Sequence, residues 1–359
     1  MPDGYAQSTL RAPIRIGDYT LARLEPRDAA IVPDGFRRVY GDAYLSAAVY
    51  DADALARALR RGEQISFVAR HADGDFAGHI ALKRSAPNPR LFEVVQGIVV
   101  AEHRKAGMFR HLFDAALERA RRDPDCDGFF GTALTNHKVS QRVLAEAGLR
   151  DVGFEIDYVP QRMLANEGAA GAIATVVQYL GLRPSAPRPA HVPERYRAWT
   201  ARLLAVCGEA TRVSAPRGRT ALPAGPAGVE SADMPRFDMA RLSVERVGVD
   251  LPGHVARCER AAAAAGRRTV QVLVNLDRPA AAPAIDWLRA RGYAYSGLLP
   301  RYCADGGHAG LMYRSFAAPN FAEIKPYSED ARWLLGEVVT DWRTRPVGPA
   351  DAANGSAAE

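Results

Sequence analysis

The order of strand-like and helix-like segments between residues 64 and 159 is the feature that most constrains the fold. An alternating hairpin, QISFVARHADGDFAGHIALKR, is followed by the apolar strand FEVVQGIVV and then by two helix–strand units. A tight hairpin joins antiparallel neighbours, whereas a helix between two strands predicts a parallel crossover. The sequence therefore predicts an α/β fold in which a mixed sheet carries helices on both faces.

The second half of the chain repeats this order. Strand-like RFDMARLSVERVGVD, helical LPGHVARCERAAAAAG, apolar TVQVLVNLD, helical AAPAIDWLRARGY and a final hairpin follow one another. The repeat indicates an internal duplication, so we expect two tandem domains. We expect a flexible N-terminus at 1–17, a first domain at 18–165, a helical and proline-rich connector at 166–210, a second domain at 211–345 and a disordered tail at 346–359.

Composition is that of an ordinary globular protein of the cytoplasm. Hydrophobic residues make up 48% and charged residues 25% of the chain, and no apolar run approaches the roughly 18 residues of a membrane span. The N-terminus lacks the apolar core of a signal peptide, and the four cysteines form no CxxC pair, which favours reduced thiols over a metal site. The net charge is +6, but all but four of the 47 basic residues are scattered arginines, so no nucleic-acid or membrane partner is expected.

A ligand site is expected where the third strand passes into the next helix, in the stretch VVAEHRKAGMFRHLFDAAL (99–117). The first turn of a helix has unpaired N–H groups and a partial positive charge, which together bind phosphates. Arg104 and Lys105 add positive charge, and Gly107 lets a ligand approach the backbone closely. The alternative is an ordinary basic turn on the surface.

Residues 93–159 resemble the GCN5-related N-acetyltransferases, the GNAT family. Members have a strand, then the pattern R/Q-x-x-G-x-G/A, then a helix that holds the pyrophosphate of acetyl-CoA. This chain reads RKAGMF at 104–109, with phenylalanine in place of the usual final Gly or Ala. The resemblance implies acetyl-CoA as the cofactor and a pyrophosphate cradle formed by Arg104, Lys105, Ala106, Gly107, Met108 and Phe109.

A second segment carries the same resemblance. Asn136, Ser140 and the pair Gly148-Leu149 are similar to the family's N-x-x-[AS]…G-F pattern, with one extra residue between Asn and Ser. The resemblance implies that Asn136 and Ser140 contact the cofactor, although Asn136 could also cap the following helix. It further implies that the cofactor's pantetheine arm pairs, like an added strand, with the backbone of Ile98, Val99 and Val100.

The whole chain is similar to tandem members of this superfamily, with a degenerate second copy. The segment VGVDLPGHVARCERAAA stands where the second phosphate loop would be, and it lacks the R-x-x-G-x-G pattern. Asp250 precedes its helix, where a negative charge repels a diphosphate, and no Arg or Lys follows before Arg257. We therefore expect one acetyl-CoA per chain, with the second domain structural or closing the acceptor groove.

The chemistry requires a base, because an amine attacks a thioester only when it is neutral. Glu93 opens the cofactor strand and is the candidate, as the base or as the carboxylate that holds a water. The alternative is an exposed carboxylate at the end of a strand. The tyrosine that acts as general acid in many members is replaced by Leu144, which leaves solvent or Tyr40, Tyr44, Tyr50 and Tyr158.

The remaining polar residues give no second function. His79, His111 and His137 lack the spacing of metal ligands, and no G-x-S-x-G elbow surrounds Ser140, which argues against a hydrolase. We expect an N-acyltransferase that moves acetyl from acetyl-CoA to a small or amino-acid-like amine by direct attack in a ternary complex, with Tyr40 and Tyr44 at the acceptor. One alternative is a catalytically silent tandem fold that binds acyl-CoA or a protein partner. Another is transfer from an acyl carrier protein.

Overall fold

The computed structural model describes residues 12–44, 46–163, 171–216 and 221–346. The expected mixed α/β architecture is confirmed. Within these residues the chain forms eight α-helices and fifteen strands, of which thirteen belong to one sheet. The expected disordered tail lies, apart from Pro346 at its border, outside the described residues, as do residues 1–11 of the expected flexible N-terminus.

The first half contains eight strands and four helices. In chain order they are β1 (Ile14–Ile16), β2 (Tyr19–Arg23), α1 (Ile31–Tyr40), α2 (Ala52–Arg61), β3 (Gln64–His71), β4 (Phe76–Lys83), β5 (Leu91–Val99), α3 (Met108–Arg122), β6 (Gly128–Leu134), α4 (Val139–Glu146), β7 (Arg150–Val159) and β8 (Ile173–Gly181).

The second half contains the remaining elements. They are β9 (Arg188–His191), α5 (Glu194–Val206), β10 (Thr211–Ser214), β11 (Gly228–Met234), β12 (Met239–Arg246), α6 (Leu251–Ala264), β13 (Thr269–Asn275), α7 (Ala281–Ala290), β14 (Ala294–Leu299), β15 (Ala309–Ser315) and α8 (Glu329–Thr344). Strands β9 and β10 pair with each other as a separate parallel ribbon.

The sheet shows the internal duplication directly. Its strand order is β1-β2-β3-β4-β5-β6-β8-β7-β14-β15-β13-β12-β11. The series β4-β5-β6-β8-β7 and β11-β12-β13-β15-β14 match strand for strand, and each has its one parallel pair at the same place. Backbone irregularities also recur 144 residues apart, at Gly148 and Gly292 (φ +100° and +95°) and at Asp157 and Arg301 (both +54°).

The two halves join where β7 meets β14. The strands are antiparallel and pair through Gly153 and Gly297, which occupy equivalent positions of the two copies. Gly297 has a φ of +120°, and a Cβ on it would lie 2.4 Å from the carbonyl oxygen of Val152. The two backbones therefore approach so closely that only glycine fits at residue 297.

Helices cover both faces of the first half, as its sequence predicts. The apolar side of α3, including Met108, Leu112 and Phe113, is fully buried against one face of β3–β5, and α4 lies on the same face over β6 and β8. Helices α1 and α2 pack on the opposite face, against Ile98 and Val100 among others. Successive residues of β5 thus point to opposite faces, as the strand repeat requires.

Two of the sequence predictions need correction. The predicted helical connector at 166–210 is wrong over residues 173–181, which form β8 between β6 and β7. The segment IATVVQYLG is buried over most of its length, so it lacks the alternation that marks a half-exposed strand. The predicted flexible N-terminus is wrong at residues 14–16, which pair with β2. The other domain bounds stay a prediction.

The junction between the halves gives a stability prediction. Gly297→Val places a β-branched side chain at a positive φ and against the backbone of β7, so we expect a loss of about 3 kcal/mol or more in the free energy of unfolding. Gly336→Ala, on helix α8, is the matched control, because a Cβ at this position would have no atom of a neighbouring residue within 4 Å. It should be neutral or stabilise by up to about 1 kcal/mol. Urea denaturation measures both, and an unchanged midpoint for Gly297→Val would contradict the close approach.

Candidate active site

Strands β5 and β6 pair only at their beginnings. Their parallel register runs from Leu91 opposite Gly128 to Val94 opposite Gly131, although both strands continue beyond it. Gln96 has a φ of +58°, and the register between β4 and β5 shifts at the same place. Such a bulge bends a strand away from its neighbour. A gap between β5 and β6 therefore opens beyond Val94.

The far part of β5 directs backbone groups into this gap. The N–H of Val100 donates to the carbonyl oxygen of Ala77 on β4 at 3.1 Å. Because successive groups of a strand point in opposite directions, those of Val99 face the gap. The carbonyl oxygen of Val99 accepts a bond there from Arg104 Nε at 3.3 Å.

The three backbone positions predicted to pair with a ligand are therefore not equivalent. Ile98 turns its groups toward β4, and the carbonyl of Val100 accepts from the N–H of His103 at 3.0 Å. Val99 is the member of the three whose backbone lies at the open edge. The sequence alone did not distinguish them, because the phase of the strand depends on the bulge at Gln96.

The predicted phosphate turn lies at the open end of this gap. Residues 101–106 form a short 3₁₀ turn, and Gly107, with a φ of +67°, leads into α3. No side chain caps α3 within the described residues, and a Cβ on Gly107 would meet nothing within 4 Å. Arg104 and Ala106 are exposed, whereas Met108 is buried and anchors the helix. The side chain of Lys105 lies outside the described residues.

His103 fixes this turn to the rest of the first half. Its Nδ1 lies 3.1 Å from the hydroxyl of Tyr19, and its Nε2 lies 3.2 Å from Oδ2 of Asp75 in the β3–β4 turn. Hydrogen bonds from Arg38 and His103 lower the pKa of Asp75 to about 2. Sequence analysis missed His103, since its partners are distant in sequence and no motif marks it.

Phe109, which departs from the family pattern, is accommodated by a glycine. A Cβ on Gly97 would lie 2.8 Å from a ring carbon of Phe109. The ring therefore occupies the space that a side chain on β5 would need. The pairing of these two residues explains how the helix keeps its place with a bulky residue at that position.

Asn136 and Ser140 follow the end of β6, on the other side of the gap. Helix α4 begins after Lys138 with no side chain capping it, so the alternative role of Asn136 as a helix cap is not observed. The hydroxyl of Ser140 is buried and has no hydrogen-bond partner among the described residues. A buried hydroxyl without a partner is costly, which makes it available to a ligand.

Glu93 points to the face opposite α3. Its neighbours Phe92 and Val94 pack with the α3 cluster, so the side chain between them is directed the other way. Burial raises the pKa of this carboxyl, while a hydrogen bond from Ser85 lowers it. The charge of Glu155 raises the pKa further, and Arg241 and Lys83 lower it. A carboxylate with a raised pKa is a better proton acceptor near neutral pH.

The four candidate tyrosines have different surroundings. Tyr50 forms hydrogen bonds with the backbone: its hydroxyl donates to the carbonyl oxygen of Gly41 at 2.8 Å and accepts from the N–H of Tyr44 at 3.0 Å. Tyr40 packs its ring on Tyr44, with the ring centres 5.1 Å apart. Burial raises the pKa of Tyr44 and of Tyr158, and the charge of Glu93 adds to both shifts. The charge of Glu93 thus acts on both Tyr44 and Tyr158.

The second half has no corresponding gap. Its parallel strands β12 and β13 stay paired from Met239 opposite Thr269 to Val244 opposite Val274. The turn before α6 spans only residues 247–250, and the side chain of Asp250 accepts from the N–H of Ala227 at 2.7 Å.

The segment 225–227 also covers this turn. A Cβ on Gly248 would lie within 2.4 Å of three of its backbone atoms. The N–H of Val249 donates to the carbonyl oxygen of Gly225 at 3.1 Å. The beginning of α6 is thus closed by the chain itself, whereas the beginning of α3 is open.

Several solved structures are similar to this chain over slightly less than half of its length. A ribosomal-protein-S5-alanine acetyltransferase from Vibrio fischeri is 13% identical, covers 47% of this chain and 95% of its own, and has a TM-score of 0.39. The spermidine/spermine N-acetyltransferase SpeG from Vibrio cholerae, in mutant forms, is 15% identical over 46% and 95%, with a TM-score of 0.38. An acetyltransferase of the GNAT family from Streptococcus pneumoniae is 15% identical over 45% and 98%, with a TM-score of 0.37.

These matches include the family that the sequence resembles, and they concern the fold alone. No protein-family model matches the sequence, and no curated protein matches it. In the part of the chain that the structure describes, no helix is long and apolar enough to cross a membrane.

Proposed function

We propose that this chain is an acetyl-CoA-dependent N-acetyltransferase that acts on a small or amino-acid-like amine in the cytoplasm. The observation that carries the proposal is the gap between β5 and β6, with the open beginning of α3 at one end and Glu93 at the other. From Val94 to Val99 the open edge measures five residues, or roughly 17 Å of extended strand. An elongated thioester with a diphosphate at one end fits such an edge.

The residues of the chain that would hold acetyl-CoA lie along this edge. The uncapped N–H groups of α3 and the exposed Arg104 would bind the diphosphate, and Gly107 leaves room for it. The backbone of Val99 would pair with the extended arm, and Ser140 would supply the hydroxyl that lacks a partner. When bound, acetyl-CoA supplies the acetyl thioester that the acceptor amine attacks.

Glu93 would remove the proton from the amine, directly or through a water. Tyr44 and Tyr158 keep their protons at neutral pH, since the pKa of each is raised by burial. An ordinary thiol has a pKa of about 8.5, so the transfer of a proton from a phenol to a thiolate becomes less favourable as the pKa of the phenol rises. We infer that these tyrosines orient groups by hydrogen bonds, and that solvent protonates the leaving thiolate.

The second candidate function is a catalytically silent fold that binds acyl-CoA or a partner protein. Leu144, at the position of the family's tyrosine, is buried against Gly131 and favours this alternative. An acyl carrier protein as donor is the third candidate. Thiol release from acetyl-CoA in the presence of an amine panel separates the first two, because a silent fold releases none.

The first prediction for this site concerns the phosphate turn. Gly107→Glu puts a negative charge where the diphosphate approaches, so CoA affinity should fall at least tenfold, about 1.4 kcal/mol. Gly107→Asn is the control, because asparagine tolerates a positive φ and adds no charge. Calorimetric titration should show a much smaller loss for Asn than for Glu. A folded Gly107→Glu variant that binds CoA as tightly as the wild type would contradict the assignment of this turn as the diphosphate site.

The next prediction concerns Glu93. Glu93→Gln should lower turnover by ~10²-fold or more and leave CoA binding intact. Wild-type turnover should rise with pH through the raised pKa of Glu93, because only the ionised carboxylate accepts a proton. The rise in turnover that follows ionisation of Glu93 should be absent from the Gln variant. At high pH the acceptor amine is already neutral, so the difference in turnover between the wild type and the Gln variant should become smaller. Glu194→Gln, at the exposed start of α5, is the control and should behave like the wild type.

Stoichiometry provides a third prediction. Because the beginning of α6 is closed by residues 225–227, titration should give one CoA per chain. The Gly107→Glu variant should lose that single site, with no second site remaining. Two sites of similar affinity in the wild type would show that the second half also binds CoA.

A further inference from the structure

A charged cluster from both halves lies on the face of the sheet to which Glu93 points. Arg241 of β12 donates from Nη2 to Oε1 of Glu155 on β7 at 2.7 Å. In the sheet, β7 and β12 are four strand steps apart, which would place them about 19 Å apart if the sheet were flat. The sheet must therefore fold over, so that the end of β7 crosses the second half.

Further contacts along β7 support this crossing. Asp157 accepts from the hydroxyl of Ser315 on β15 at 3.0 Å and forms an ion pair with Arg268 at 3.2 Å. The ring of Tyr158 packs at a tilt of 35° against that of Phe237, with the ring centres 4.6 Å apart. Glu155, Asp157 and Tyr158 thus fix the end of β7 to the second half.

The chain just beyond β14 crosses the first half in the same way. The carbonyl of Tyr302 accepts from the N–H of Asn88 at 3.2 Å, and its ring lies 6.2 Å from that of Phe130. Tyr302 is the counterpart of Tyr158, 144 residues later. The electrostatic influence of Glu93, Glu155 and Arg241 reaches both tyrosines. The two crossings therefore bring residues of both halves to the candidate base.

Arg241 is placed to bind a ligand as well as Glu155. Its Nε and Nη2 donate to Oε1 of Gln271 at 3.0 and 2.8 Å, and Nη2 also serves Glu155. Among the described residues, no other carboxylate lies within ion-pair distance of this guanidinium. Its side chain keeps 17% of its surface exposed, against 6% for Glu155. The hydroxyl of Tyr302 also lies within hydrogen-bonding reach of this guanidinium, so a bound carboxylate would share Arg241 with that tyrosine. A partly exposed guanidinium with several donors suits a carboxylate.

The charges around the cluster indicate which acceptor fits. Two carboxylates, Glu93 and Glu155, face two cations, Arg241 and Lys83, so the fixed charges cancel. A polyamine would add several positive charges that nothing balances. A zwitterion adds no net charge: its amine is complementary to Glu93 and its carboxylate to Arg241. The cluster thus favours a ligand with both charges.

We propose that Arg241, supplied by the second half, binds the carboxylate of the acceptor, which is an amino acid or another small amine that carries a carboxylate. This assignment rests on the proposed function, because it takes Glu93 as the base. It makes Arg241 a specificity-determining residue. It also gives the second half a part in the acceptor site, although that half binds no cofactor.

The test compares amino acids with their amides as acceptors, since the amide lacks the carboxylate. Removal of Arg241 alone would leave Glu155 buried without its partner, so the variant is Arg241→Gln with Glu155→Gln. The double variant should raise KM for amino acids at least tenfold, leave KM for the amides within about threefold and leave CoA affinity unchanged. Arg278→Gln, an exposed arginine of the second half, is the control and should change neither KM.

Two readouts separate the inference from the proposed function. The assignment of Arg241 is overturned if the wild type acetylates amino acids and their amides with equal kcat/KM, or if the double variant loses activity equally toward both. Neither result contradicts the proposed transferase activity. Calorimetric titration of the amino acids into the CoA-saturated protein is the second readout. Binding that the double variant loses supports the carboxylate site even when the wild type shows no turnover, and the absence of both binding and turnover overturns both proposals.

Discussion

The contact between Gly153 and Gly297 is the constraint on which the architecture depends. It joins β7 to β14, so two sheets that would each end in an exposed edge become one. The strands pair at a single register position and then diverge, because each continues over the opposite half. The crossings of β7 and of the chain beyond β14, and the cluster around Glu93, all follow from this one close approach.

The ion pair of Glu155 and Arg241 shows why a charged cluster persists in such a place. Desolvation of two charges costs several kcal/mol per ion, and their mutual attraction offsets that cost only with good geometry and further hydrogen bonds. Thr175 donates to Glu155 at 3.2 Å, and Gln271 accepts from Arg241. The pair is thus well satisfied, but an apolar pair would stabilise the fold at least as well. Recognition of a ligand therefore accounts for this ion pair better than stability does.

Local patterns in the sequence predicted most of the first half. The hairpin at β3–β4, the strand β5, the amphipathic α3 and the glycine turn at Gly107 are all coded by residues close to one another, and each of these elements is confirmed. Strand β8 was not predicted, because it is buried nearly throughout and therefore lacks the alternation of a half-exposed strand. The bulge at Gln96 and the ion pair of Arg241 with Glu155 could not be predicted, since both arise from contacts between distant strands. The junction could have been predicted from the sequence, because Gly148 and Gly153 recur 144 residues later as Gly292 and Gly297.

The covering of α6 by residues 225–227 makes the two copies differ in how their stability is regulated. A helix start closed by its own chain has a fixed stability, whatever the concentration of ligand. A helix start left open, as in α3, gains stability by mass action, about 2.7 kcal/mol for a ligand at 100 times its Kd. The duplication has thus produced one copy whose helix start is permanently closed and one whose helix start is open to stabilisation by a ligand.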